Sequence, residues 1–175
     1  MRDVQTPEEV IHETLVKQYD KYYRLAFCYA CNAEDAMDIV QEGACRAIAA
    51  AEQLKYPRFA DTWVYRIMIN TAREFLRRNR REVTAGEELP EEGREDTYEE
   101  TDLYRALQQL DEKERTIVIC KYFEDMTLDE IADTEKENVN TVKSRLYRAL
   151  KKLRVYLEEP AGSGSGRTGK RGSFK

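Results

Sequence analysis

The sequence predicts an all-α protein of two small helical domains, and three observations carry that prediction. Helical periodicity recurs in almost every segment able to order, each opened by a start signal, while strand-like alternation is absent. Residues 82–102 carry one cation against ten anions, whereas residues 1–81 carry 13 against 12 and residues 103–159 carry 11 against 12. In a chain with 29 Lys+Arg and 34 Asp+Glu, the window from Asn138 to Leu157 nevertheless has no acidic residue.

Thr6-Pro7-Glu8-Glu9 combines an N-cap, a proline at the first helical position and a capping-box glutamate, so a long helix should run to about Ala30. Asn32 caps a second helix, whose apolar stripe is Ala36, Val40, Ala44, Ala47, Ile48 and Ala51. Pro57 closes that unit, and a third helix is expected from about Asp61 to Asn79. The acidic stretch "EVTAGEELPEEGREDTYEETD" lacks apolar periodicity and reads as a flexible, solvated linker. Beyond it come a helix around Asp102 to Leu110 and two more capping boxes, Asp111-x-x-Glu114 and Thr127-x-x-Glu130, with the basic window supplying the last helix. The expected division is therefore 1–81, three main helices; 82–102, linker; 103–159, four helices; and 160–175, a Gly/Ser-rich basic tail that cannot pack a core and should be disordered. The two lobes are expected to fold separately.

Composition excludes several classes of function. There is no basic-then-apolar leader and no apolar run of the roughly 18 residues that span a bilayer, which points to a cytoplasmic protein without membrane insertion. Cys28, Cys31, Cys45 and Cys120 suit a reducing compartment. "CYAC" is half of a metal-site pattern, but no second pair matches it and the single histidine, His12, lies far upstream; a buried helix face explains it better. With no catalytic histidine pair, Gly-rich phosphate loop or metal set, neither enzymatic activity nor a cofactor is expected.

Two cationic faces point to nucleic acid. At 100° per residue, Val142, Leu146, Ala149, Leu150, Leu153 and Leu157 share one side of the last helix, so Ser144, Tyr147, Arg148 and Lys151 face outward. Just upstream, "TLDEIADTEKENVN" provides a short capped helix and a polar turn, completing a helix-turn-helix whose second helix would enter the major groove. In the third helix Arg66, Asn70, Arg73, Arg77 and Arg80 form one stripe, preceded by Lys55, Tyr56, Arg58 and Phe59. Cations beside aromatic rings suit single-stranded nucleic acid, because bases stack on rings while phosphates meet charge. Phe59, Trp63 and Tyr65 could equally be core residues, and Trp63 is read as one.

The segments "AEDAMDIVQEGACRAI", "FADTWVYRIMINTAREFLRR" and "EIADTEKENVNTVKSRLYRALKKLR" appear in this order around an acidic linker. Over roughly residues 10–81 and 103–157 the chain resembles a bacterial alternative sigma factor of the extracytoplasmic-function type. That resemblance implies a promoter-specificity subunit of RNA polymerase. Asp38, Gln41 and Glu42 would dock on the β′ clamp coiled coil. Lys55, Tyr56, Arg58, Arg66, Asn70, Arg73 and Arg77 would engage the opened minus-ten strand. Asn140, Thr141, Lys143, Ser144, Tyr147, Arg148 and Lys151 would read the minus-thirty-five duplex. The first helices of the second lobe, including Leu107 and Leu110, would seat the β flap tip, and an anti-sigma protein would mask the polymerase-binding surfaces.

The chain departs from the family's usual pattern in the helix-turn-helix turn. There the family has a leucine, a glycine and an aliphatic residue, with another glycine just before the threonine; here these are Glu135, Lys136, Glu137 and Asn140. The turn loses its apolar plug, which Val139 is expected to replace in part. Two rival readings are a helix-turn-helix activator that works without polymerase and a helical module that binds acidic partners.

Overall fold

The computed structural model describes residues 5–84 and 98–158, and every regular element among them is helical. The first lobe contains α1 (Pro7–Lys17), α2 (Tyr19–Ala30), α3 (Ala33–Ala49) and α4 (Ala60–Thr84), with two short 3-10 turns at Ala51–Gln53 and Pro57–Phe59. The second contains α5 (Tyr98–Gln108), α6 (Glu112–Tyr122), α7 (Leu128–Glu135) and α8 (Val139–Glu158). Most of the acidic stretch and the C-terminal tail lie outside the described residues.

The capping signals form as the sequence predicts. Thr6, Asp111 and Thr127 each accept a hydrogen bond from the backbone N–H three residues on, and the glutamate at that position reaches back to the cap N–H. The Asn32 side chain likewise accepts from Asp35. One predicted element is divided: the expected long first helix breaks at Gln18, whose φ of −107° and ψ of 15° leave the helical region. The break gives two shorter helices independent directions, so Ile11 from one and Tyr22 and Leu25 from the other all reach the core. α4 runs five residues beyond its expected end, and α5 begins four residues before its expected start.

In the first lobe α2, α3 and α4 pack on one another, with α1 against α3 and α4. A Cβ at Gly43 would collide with the Met68 sulfur, so the glycine sets how closely α3 and α4 approach. Ile48, placed by the sequence in the apolar stripe of α3, is exposed because the stripe is wider than the surface covering it.

The second lobe is organised around α6. Every residue from Glu114 to Cys120 is buried, so α6 is covered all round and lacks the one-sided stripe of a surface helix. Arg115, fully buried, donates through Nε to the carbonyl of Leu107 at 2.9 Å and through Nη2 to Gln108 at 3.1 Å and Leu110 at 3.4 Å. It thereby satisfies carbonyls that the end of α5 leaves without intrahelical donors. Lys152 of α8 pairs with buried Glu114 at 2.6 Å. Along α8, Val142, Ala149 and Leu153 are buried as predicted, but Leu157 is exposed in the last turn.

The lobes are not separate in this structure. Tyr29 of α2 is hydrogen-bonded to Thr116 of α6, Gln108 donates to the Tyr29 carbonyl at 3.0 Å, and Phe27 meets Tyr104 edge-on with ring centroids 4.9 Å apart. The sequence predicts two separately folded lobes and carries no signal of a contact between them; the contact arises because α6 carries polar and apolar groups that meet both neighbours.

Arg115→Met would leave the carbonyls at the end of α5 without their charged donor, so we expect a loss of about 3 kcal/mol in chemical denaturation of the full chain.

Candidate nucleic-acid interface

Three surfaces contain the sequence-predicted site residues. The first is a groove of about 490 Å³ between α3 and α4, lined by Asp38, Gln41, Glu42 and Cys45 on one side and Phe75, Arg78 and Asn79 on the other. Asp38 and Gln41 are exposed. Glu42 accepts from Arg78 at 2.7 Å on one oxygen and from Arg46 on the other, and Arg46 also pairs with Glu74 at 2.6 Å. The Arg78 hydrogen bond, followed by that of Arg46, holds the Glu42 carboxyl below the usual carboxylate range, so the groove keeps a fixed negative charge at neutral pH. Arg78 carries no sequence signal of this role, because a residue 36 positions from Glu42 meets it only after α3 and α4 pack.

The second surface lies on the turn before α4 and along α4. Lys55, Tyr56, Arg58 and Phe59 are all exposed. The Tyr56 and Phe59 rings stand perpendicular with centroids 6.3 Å apart, and the Arg58 guanidinium lies 4.7 Å from the Phe59 centroid and 5.7 Å from that of Tyr56. This is an aromatic platform with a cation on it, chemistry that suits an unpaired base and its phosphate. Of the three aromatics left open by the sequence, Tyr65 is buried, Trp63 packs partly buried against the core and Phe59 joins the platform. Arg66, Asn70 and Arg77 are exposed on α4.

Arg73 departs from the predicted stripe. Its side chain is 13% exposed, and its guanidinium donates to Thr116 at 2.9 Å and to Glu135 at 2.7 Å, with Glu112 at 3.4 Å. In this conformation Arg73 faces the second lobe instead of nucleic acid, because one edge of the α4 stripe curves into the junction.

The third surface is the outer face of α8, where Asn140, Lys143, Ser144, Tyr147 and Arg148 line a shallow depression of about 530 Å³. Tyr147 is 75% exposed, and Thr141 and Lys151 are exposed beside it. The Asn138 side chain accepts from the Asn140 N–H, capping the first turn of α8. Val139 packs partly buried against the core, as expected of a partial plug. Leu107 and Leu110, expected on an outer surface, are 0% and 2% exposed. They point inward because α5 has only one apolar side, which the core of the second lobe covers. The exposed apolar groups of this lobe include Leu103, Val155, Tyr156 and Leu157.

The turn departs from the family pattern in a way the geometry explains. Glu135, at the leucine position, pairs with Arg73. Lys136, at the glycine position, adopts the left-handed conformation with φ 53° and ψ 44°, and its N–H closes on the carbonyl of Ala132. Glu137 pairs with Lys113 and lies 3.5 Å from Arg145. No group of metal-ligating side chains forms a metal site among the described residues, and Cys28 and Cys120 are buried, which pushes each thiol up to about 12.

Residues 15–82 match sigma-70 region 2, and residues 100–153 match sigma-70 region 4. The chain is 41% identical over 160 residues to the RNA polymerase sigma factor SigV of Bacillus subtilis, covering 90% of this chain and 96% of that one. It is 35% identical over 127 residues to the RNA polymerase sigma-E factor of Streptomyces coelicolor, covering 70% and 72%. The fold resembles RpoE of Bartonella quintana, solved with the anti-sigma factor NepR, with a TM-score of 0.69 and 19% identity over 85% of this chain and 97% of that one. It also resembles CnrH, solved with the cytosolic domain of CnrY, with a TM-score of 0.67 and 21% identity over 85% and 87%.

A left-handed non-glycine residue costs about 1–2 kcal/mol, so Lys136→Gly should raise the denaturation midpoint. A maleimide reagent at neutral pH should label exposed Cys45 fastest and leave Cys28 and Cys120 unmodified until denaturant is added, as read by mass spectrometry.

Proposed function

This chain belongs to the sigma-70 family as an RNA polymerase sigma factor of the extracytoplasmic-function type, and from that premise we propose how its surfaces divide the work. The groove bearing Asp38, Gln41 and ionised Glu42 docks core polymerase on its β′ clamp coiled coil. The Tyr56–Arg58–Phe59 platform, with Arg66, Asn70 and Arg77, binds the unpaired minus-ten strand. The outer face of α8 reads the minus-thirty-five duplex. On the second lobe, the exposed apolar groups Leu103, Val155, Tyr156 and Leu157 replace buried Leu107 and Leu110 as the seat for the β flap tip.

The observation that carries this reading is the cation-topped aromatic pair on the turn before α4. Two rings held edge to face at the surface by a guanidinium gain little from packing, but they offer stacking to a base that has left the duplex. Such contacts exist only when the duplex is open, so they pull the closed-to-open equilibrium toward melting without covalent chemistry. The protein is accordingly a binding factor and not an enzyme. It works in the cytoplasm with polymerase, and an anti-sigma protein controls it by covering the docking surfaces. One relative in fold, RpoE of Bartonella quintana, was solved with an anti-sigma factor.

Run-off transcription with core polymerase over a genomic fragment library tests the proposal and yields the promoter. Asp38→Arg should abolish association with core polymerase in a pull-down. Tyr56→Ala with Phe59→Ala should leave that association intact and lower open-complex formation by at least about tenfold, given roughly 1–3 kcal/mol per stacked base. Initiation undiminished by the loss of both rings would refute the assignment.

A further inference from the structure

The junction between the lobes is built around one cation. Arg73 donates through Nε and Nη2 to the Thr116 hydroxyl and through Nη2 to Glu135 at 2.7 Å, with Glu112 at 3.4 Å. Thr116 is bonded in turn to Tyr29, and Arg115 lies 5.8 Å from the Tyr29 ring centroid. At one side Lys21 stands between Asp61 of its own lobe at 3.1 Å and Glu124 of the other at 3.4 Å.

Two features of this contact bear on whether it can part. Glu135 stands where the helix-turn-helix family has an apolar plug, and its side chain is only 3% exposed. A carboxylate in such a position needs a partner to offset its desolvation, and the first lobe supplies it. The junction is also incompletely satisfied: Tyr65 Oη and Glu124 Oε1 are buried without a hydrogen-bond partner. Leaving such groups buried and unpaired is unfavourable, so separation of the lobes, which returns them to water, offsets part of the lost contact.

The same contact is incompatible with promoter reading. Arg73 sits three residues from Asn70 and four from Arg77, and Glu135 lies five residues ahead of Asn140, where the duplex-reading face begins. The minus-ten and minus-thirty-five elements lie roughly 25 base pairs apart, about 85 Å at ~3.4 Å per base pair. Groups joined at 2.7 Å cannot serve both at once.

We propose that the Arg73–Glu135 pair is an intramolecular latch: the α6–α7 face of the second lobe is the partner of the α2–α4 face of the first, and it holds the free factor closed. This rests on the sigma-factor assignment of the two surfaces. The docking groove containing Asp38 and Gln41 remains open in the closed form, so polymerase engages the first lobe before the latch parts. Opening then frees Arg73 to join the α4 stripe. The latch lowers the apparent affinity for polymerase and promoter by the fraction of molecules that are open.

Small-angle scattering of the full chain tests the latch. Wild type should be compact, Glu135→Arg should expand it while keeping its helical circular dichroism, and the double exchange Arg73→Glu with Glu135→Arg should restore compactness. Glu135→Gln, the milder change, should lower the concentration of factor needed for half-maximal run-off transcription by at least about threefold through its larger open fraction. A wild-type chain that is already extended, a Glu135→Arg chain as compact as wild type, or an expansion that the exchange fails to reverse would overturn the proposal. Should Glu135→Arg lose its helical signal, the Glu135→Gln half-saturation decides, and an unchanged value overturns the latch. Scattering needs no promoter, so absence of any wild-type transcript would sink the functional assignment while leaving the latch to be judged on its own.

Discussion

The enclosure of α6 is the constraint on which the rest of the structure depends. A helix buried on every side must find a partner for each polar group it carries, and α6 carries Glu114, Arg115 and Thr116 in succession. Each is matched from a different direction: Glu114 by Lys152 of α8, Arg115 by the carbonyls ending α5, and Thr116 by Tyr29 and Arg73 of the other lobe. The first two matches fix the fold of the second lobe. The third joins that lobe to its neighbour.

These matches differ in how readily they can be exchanged for water. Arg115 is fully buried and bonded to backbone, so releasing it would strip the end of a helix. Arg73 and Glu135 are joined side chain to side chain in a junction that already leaves Tyr65 and Glu124 incompletely bonded. The energetic contrast separates a permanent core from a contact suited to reversal, and it lies within one helix and its surroundings. In this light the polar turn Glu135–Lys136–Glu137 acquires a physical account: the plug is exchanged for a charge whose partner is remote, and the left-handed turn is carried by a lysine with its N–H bonded back to Ala132.

The three proposed surfaces stand in different relations to this frame. The groove between α3 and α4 and the aromatic platform on the turn before α4 both stay exposed beside the second lobe. The outer face of α8 is likewise open. Only the stripe linking platform to junction is divided, with Arg66, Asn70 and Arg77 outside and Arg73 within.

Sequence by itself determined the helices and their starts, because a capping box closes within four residues and needs nothing from the rest of the chain. It also determined which side of α8 faces outward, since an apolar side opposite a polar, cationic one admits one orientation. Tertiary structure alone decided that the first helix breaks at Gln18, that Leu107 and Leu110 turn inward, that Arg78 reaches Glu42, and that Arg73 leaves its stripe for Glu135. Periodicity fixes where a side chain points about its own helix axis; what lies opposite depends on how remote segments pack, and a partner 62 residues away leaves no local trace.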